Sequence, residues 1–283
     1  MPSAVVIPAH NEASVIERCI RTLLSSAETD EFHVCVVSNG STDNTVAQAT
    51  SALQDWPLST VVDIDIPSKI EALRAGDLAT SHYPRVYLDA DIQMTTETLR
   101  ALVDELEAAH SPTVAAPKLV VDWRHSTWPV RAYHKVWVRM PYVAEGVIGS
   151  GVYAVNRAGG DRIGEFPDVV NDDAYVRGLF SERERISTAG EFVSVAPVSL
   201  RALIRRRART ELGNKQVDTI ITGSGSSSTR ESLLRVARER DIRLAEVVTY
   251  AGITVAAKLL AAYRKHRGTD GQWSMDMSSR NLS

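Results

Sequence analysis

Four short apolar runs, at residues 4–7, 32–37, 58–64 and 85–88, alternate with segments whose apolar residues recur at helical spacing. Val15, Ile16, Cys19, Ile20, Leu23 and Leu24 set that spacing after the first run. Helices are expected to open near residues 11–14 and to cover 45–53, 68–80 and 95–109. Strand–helix alternation at this pitch restricts the chain to βαβ units around a mostly parallel sheet. Ligands of such sheets gather beyond the carboxyl ends of the strands. Those ends read Pro8-Ala9-His10-Asn11-Glu12, Ser38-Asn39-Gly40-Ser41-Thr42-Asp43 and Asp89-Ala90-Asp91.

Past residue 110 the rhythm loosens. Strands are expected at 114–121, 148–155 and 192–195, and helices at 172–179 and 201–216. Residues 122–142 carry Trp123, Trp128, Tyr133, Trp137 and Tyr142, which suit a packed core or the lining of an acceptor channel. Residues 223–228 are Gly and Ser only and read as mobile. Two helices are expected within 231–266, and a disordered tail from 268 to 283. Residues 247–263 are apolar but interrupted by Thr249, Thr254 and Lys258. They suit a packed helix or, as the alternative, an interfacial membrane helix.

Charge and cysteine content narrow the function classes. A net charge of −3 argues against a general nucleic-acid or membrane-surface binder. Cys19 and Cys35 sit within apolar patterns and read as buried thiols. No His/Cys group has zinc spacing, and neither a Gly-x-Gly-x-x-Gly fingerprint nor a Walker loop occurs. The opening residues hold no basic segment followed by a long apolar core, so a cytoplasmic location is expected, with peripheral contact at the inner face of a membrane as an option.

Asp89 and Asp91 stand two apart at the end of an apolar strand. In extended chain that spacing puts both carboxylates on one face, where one hard cation such as Mg²⁺ or Mn²⁺ can meet them. Alternatively, Asp91 caps the helix that follows. Asn11 or Glu12 can likewise open a helix, and the turn at 39–43 supplies hydroxyls and N–H groups suited to a nucleotide.

Together these motifs resemble glycosyltransferase family 2, nucleotide-sugar-dependent enzymes with a GT-A fold. The matching pieces are Val5-Val6-Ile7-Pro8-Ala9-His10-Asn11-Glu12, Val36-Val37-Ser38-Asn39-Gly40-Ser41-Thr42-Asp43, Lys69 with Ala72-Leu73-Arg74-Ala75-Gly76, and Leu88-Asp89-Ala90-Asp91. The pattern departs at Ser38-Asn39, where the family more often has two acids. The resemblance implies an α/β GT-A domain over 1–218, with a nucleotide-binding half at about 1–110 and an acceptor half at about 111–218. A loop at 219–230, a helical extension at 231–267 and a tail would follow.

It also implies roles. Pro8, Ala9, His10, Asn11, Glu12, Asn39 and Ser41 would hold the nucleoside, with Lys69 near the base or phosphates. Asp89 and Ala90 would border the ribose or metal shell, and Asp91 would ligate the divalent ion. Gly149, Ser150 and Gly151 would shape the sugar and acceptor pocket. Asp173 would be the general base, beside Asp172 as a cap or orienting group; adjacent acids also suit an N-cap. Arg206 and Arg209, at i, i+3 in a basic helix, would face the diphosphate, the alternative being a solvated or membrane-facing helix. The implied reaction is metal-assisted, inverting transfer of a hexosyl group from a nucleoside-diphosphate sugar to an acceptor hydroxyl. The rivals are a sugar-phosphate nucleotidyltransferase, which would want a basic Gly-rich loop after the first strand, and a non-catalytic nucleotide-sugar-binding protein.

Overall fold

The computed structural model describes residues 2–144, 150–221 and 229–267. The strands are β1 Ser3–Ala9, β2 Phe32–Asn39, β3 Thr60–Ile64, β4 Arg85–Leu88, β5 Gln93–Met94, β6 Val114–Asp122, β7 Val152–Val155 and β8 Arg185–Val195. The helices are α1 Ile16–Leu23, α2 Thr45–Ala52, α3 Lys69–Ala79, α4 Thr96–Ala108, α5 Trp128–Trp137, α6 Pro141–Ala144, α7 Arg157–Ile163, α8 Asp172–Leu179, α9 Leu200–Ile220, α10 Thr229–Val236 and α11 Leu244–His266.

The strands form one sheet in the order β3-β2-β1-β4-β7-β6-β8-β5. Its first four strands run parallel, with Val5 opposite Val34 on one side and Val86 on the other. From β7 onward the pairings are antiparallel. Every residue of β1 and β2 is buried, as expected for strands covered on both faces. Alternation then sorts their side chains. Val5, Ile7, Val34 and Val36 pack with Ile16, Ile20 and Leu23 of α1 and Leu99 and Leu102 of α4, while Cys35 and Val37 pack with Ala72 of α3. Gly76 lets α3 lie close on the sheet, because a Cβ there would come 2.3 Å from Val6.

Local chemistry sets the helix starts. Ser68 caps α3, Thr95 caps α4 and Asn171 caps α8 through side-chain oxygens that accept N–H bonds. Asp91 is therefore not a cap, and Asp172 and Asp173 occupy the first turn of α8 after its cap. The expected fold class holds. β8 is longer than the sequence suggested; its buried and exposed residues do not form an apolar run, so only its end was legible.

Two compact units are built on Met1–Val120 with Gly146–Ser194 and on Val121–Glu145 with Val195–Ser283. This division differs from a boundary at 218, a position inside α9. Ala208 and Leu212 of α9 pack on Ala261 of α11, and Tyr133 of α5 stacks on Tyr250 of α11 at 5.0 Å. Tyr133, Val130 and Val136 are buried, so these aromatic-segment residues form a core. Residues 223–228 and 268–283, expected to be mobile and disordered, and Gly149 lie outside the described residues.

Candidate active site

The parallel register brings the ends of β1 and β2 side by side, Ala9 opposite Ser38. The loops that follow are tied together. His10 Nδ1 lies 2.6 Å from the Asn39 carbonyl, and Asn11 Oδ1 accepts from the Thr42 N–H at 2.8 Å. The Asn11 N–H reaches Ser41 Oγ at 3.1 Å, and the Glu12 N–H reaches Thr45 Oγ1 at 2.8 Å. Asn11 takes a left-handed backbone, φ 53°, which Asn tolerates better than most residues. Asn39 is 2% exposed, so its neighbours Ser41 and Thr42 form the accessible part of that loop. Pro8, Ala9 and Glu12 are buried and His10 is half-buried.

A second cluster joins β4, α3, β7 and α8. Lys69, the first residue of α3, lies 2.8 Å from Asp89 Oδ1 and 2.9 Å from Asp172 Oδ1. The Tyr153 hydroxyl reaches Asp172 Oδ2 at 3.3 Å, and its ring stacks on Tyr87 at 4.8 Å. Tyr87 in turn donates to Asp77, which pairs with Arg85. Gly151 stands beside both acids of interest: its carbonyl accepts from the Asp89 N–H at 2.8 Å, and it lines the same pocket as Asp173. Its φ is +104°, and a Cβ would come 2.8 Å from Ile92. Pro8, Lys69, Asp89, Gly151, Tyr153, Asp172 and Asp173 line one small pocket.

The electrostatics of this pocket are uneven. Burial, then the Asp172 charge, pushes the Asp173 carboxyl well above its ordinary range, against the pull of Lys69. Asp173 Oδ1 is buried without a hydrogen-bond partner. Burial opposes the charge on Lys69, but Asp172, Asp89 and Asp173 hold its ammonium well above its ordinary range. Beside them the Cys19 thiol is pushed up by burial and then by the charges of Asp91, Asp89 and Glu12. That concentration of negative potential, on hard oxygen donors, fits a divalent cation. Among the described residues no group of three His, Cys, Asp or Glu side chains is arranged to hold a metal. The donor set therefore fits an ion held by Asp91 and completed by phosphate oxygens and water, with Lys69 already serving Asp89.

The structure thus gathers Pro8, Lys69, Asp89, Gly151, Asp172 and Asp173 in one pocket, and binds the 8–12 loop to the 39–43 loop. Ser150 is half-exposed beside Gly151. Arg206 and Arg209 lie on α9 in the second unit. Between them Arg207 stands near the rings of Tyr133 and Trp137, at 5.9 and 5.8 Å. Tyr153 falls in the 149–153 segment expected to shape the sugar and acceptor pocket, but its bond to Asp172 and its stacking on Tyr87 carry no signal in the sequence.

The model of glycosyl transferase family 2 matches residues 4–150, and the chain belongs to that family. It is a glycosyltransferase. Among solved structures it is similar to a mannosyltransferase from Pyrobaculum calidifontis in complex with GDP-Man and Mn²⁺, with 21% identity, 95% of this chain and 83% of that one covered, and a TM-score of 0.60. It is also similar to glucosyl-3-phosphoglycerate synthase from Mycobacterium tuberculosis in complex with Mn²⁺, UDP-Glc and phosphoglyceric acid, with 20% identity, 79% and 81% coverage, and a TM-score of 0.51. At these identities the likeness is one of fold, and it places the chain among GT-A enzymes. No curated protein matches the chain by sequence.

Proposed function

We propose that this glycosyltransferase moves a hexosyl group from a nucleoside-diphosphate sugar to an acceptor hydroxyl with inversion, using a divalent cation. The observation that carries the reading is Asp173: a half-buried residue whose Oδ1 is buried and unpartnered and whose pKa is raised, lining the same pocket as Lys69 and Asp89. A carboxyl whose pKa is raised is a stronger base than an ordinary carboxylate, which suits proton abstraction.

In this reading Asp173 takes the acceptor's hydroxyl proton as the oxygen bonds to the anomeric carbon. The bond from that carbon to the diphosphate oxygen breaks on the opposite face, and the nucleoside diphosphate leaves with the electron pair. Attack opposite the leaving group inverts configuration, by analogy with inverting hydrolysis. Lys69 holds Asp172 and Asp89 in place and keeps the pocket's net charge low enough for a diphosphate to enter. The loops at 8–12 and 39–43 receive the nucleoside. Asp91 would hold a Mg²⁺ or Mn²⁺ ion, which would supply Lewis-acid stabilisation of the diphosphate. The role of Arg206 and Arg209 at the diphosphate belongs to the same proposal and rests on their place in the sequence after the acid pair.

The structural neighbours with GDP-Man, UDP-Glc and Mn²⁺ support this donor class and metal. The nucleotidyltransferase rival has no support from the 8–12 loop, which holds no Lys or Arg. The test is a panel of GDP- and UDP-sugars with Mn²⁺ and hydroxyl acceptors, read as nucleoside-diphosphate release and as the anomeric coupling of the product by NMR. Release with an inverted product is expected. Retention overturns the assigned role of Asp173, and formation of a nucleoside triphosphate and a sugar 1-phosphate when pyrophosphate replaces the acceptor would point to the nucleotidyltransferase.

A further inference from the structure

The whole-chain charge of −3 conceals a strong segregation. The first unit carries 12 Lys and Arg against 25 Asp and Glu, and the second carries 20 against 10. The second unit is therefore a strongly cationic body, and its longest helix, α11, has two unlike faces.

On the inner face Tyr250, Ile253, Ala257 and Ala261 are buried. Glu246, buried on the same side, pairs with Lys135 of α5 at 3.1 Å. On the opposite side Leu244, Val248, Val255, Leu259 and Tyr263 are exposed, from 55% to 77%. At 100° per residue these five fall within about a third of the helix circumference and run along about 29 Å of its length. A stripe of five large exposed apolar side chains along one side of a packed helix marks an interaction surface.

The charges along this stripe have one sign. Glu246 is the only acid between 244 and 266, and it is turned inward. Asp241 and Glu239, just before the helix, pair with Arg139, just after α5, at 2.5 and 3.0 Å. Lys258, Lys265 and His266 are exposed on α11, and exposed Arg240 and Arg243 precede it. An apolar stripe flanked by cations, with every nearby acid turned inward or paired, complements a surface that is apolar within and anionic at its rim.

We propose that the outer face of α11 seats the protein on a bilayer of anionic phospholipid, with the helix axis in the membrane plane. The helix is long and apolar enough to cross a membrane by length and composition. Its inner face is committed to α5 and α9, however, and crossing would strip the Glu246–Lys135 pair of its surroundings. A second copy of the chain is a poorer occupant, because an isologous contact sets the same cations against each other. The proposal stands or falls independently of the donor and acceptor assignments.

The test is flotation of the full-length protein with vesicles of phosphatidylcholine alone and of phosphatidylcholine mixed with phosphatidylglycerol. Binding to the mixed vesicles only, weakened by salt, is expected. Lys258→Gln and Lys265→Gln should each lower partitioning about fivefold, from the loss of one basic contact at an anionic surface. Val248→Ser with Leu259→Ser should lower it at least about tenfold through lost apolar burial. All four positions are exposed, and circular dichroism verifies the fold of each variant. Cys19 and Cys35 are buried, so Leu259→Cys can be labelled selectively with an environment-sensitive dye, whose emission should shift to the blue on anionic vesicles. Equal flotation with neutral and anionic vesicles, unchanged partitioning in both variant sets, or an unshifted dye overturns the proposal. So does a dimer in gel filtration that Val248→Ser with Leu259→Ser turns into a monomer, since the face would then belong to a second copy.

Discussion

The Lys69 ammonium lies 2.9 Å from Asp172 Oδ1, a carboxylate on a side chain only 4% exposed. The same ammonium lies 2.8 Å from Asp89, so one cation joins the end of β4 to the first turn of α8. The charge offsets the cost of desolvating the buried Asp172 carboxylate. Lys69 is thus a positioning residue for the acids, a more specific role than proximity to a base or phosphate.

Lys69→Met is expected to destabilise the protein by about 3 kcal/mol or more, the scale for removing one partner of a buried ion pair. Urea unfolding measures it. The loss should shrink above pH 10.5, the ordinary lysine value. A folded-state pKa raised above that value contributes stability that is fully present below it and lost as pH rises through the folded pKa. A destabilisation of a few tenths of a kcal/mol, the scale of an exposed pair, would contradict the buried bridge.

Asp91→Asn is expected to leave the fold intact while removing the metal dependence of donor binding. Asp91 is half-buried and does not cap α4, so a nearly isosteric amide there removes a hard oxygen ligand. Calorimetric titration of UDP-Glc or GDP-Man with and without Mn²⁺ is the check. An unchanged Mn²⁺ effect would assign the ion elsewhere.

Gly151→Ala tests the link between the two acids. Its φ of +104° and the 2.8 Å approach to Ile92 exclude a side chain without strain, at a cost on the order of 1–3 kcal/mol. Because Gly151 accepts from the Asp89 N–H and lines the pocket beside Asp173, turnover should fall together with the urea midpoint. Wild-type turnover in a destabilised variant would separate the backbone link from catalysis.

The parallel half of the fold was legible because strands buried on both faces read as uninterrupted apolar runs, and their polar ends stand out. The Asp-Ala-Asp turn and the 8–12 and 39–43 loops were legible for the same reason. What was not legible depends on pairings between distant segments. Nothing near Lys69 in sequence reveals Asp172, and Tyr153 carries no mark of its bond to that acid. Asn39 looked available to a base, yet it belongs to the buried end of β2, and its carbonyl is taken by His10. The grouping of α9 with α11 rests on Ala208, Leu212 and Ala261, small contacts that a basic helical pattern hides. Whole-chain net charge likewise averaged away the opposite charges of the two units.

Asp173 separates catalysis from binding most sharply. If it is the general base, Asp173→Asn should abolish transfer while leaving donor affinity near wild type, since the base meets the acceptor and the amide cannot take a proton. Asp172→Asn should instead weaken the Lys69 bridge and cost stability first. The wild-type kcat should rise with pH along a limb whose midpoint lies above the ordinary carboxylate value of 3.8, because burial and Asp172 favour the protonated form. Lys69→Met should move that limb to higher pH, since Lys69 opposes the shift. Stability should follow the opposite course. Between 3.8 and the folded-state pKa the native state binds more protons than the unfolded chain, so the Asp173 contribution falls as pH rises through that window. Asp173→Asn, which does not titrate, should remove that slope. Transfer rate, donor Kd and urea midpoints across pH for the three variants decide it. An active Asp173→Asn beside a dead Asp172→Asn would exchange the two roles, and activity in both would reduce the acid pair to structure.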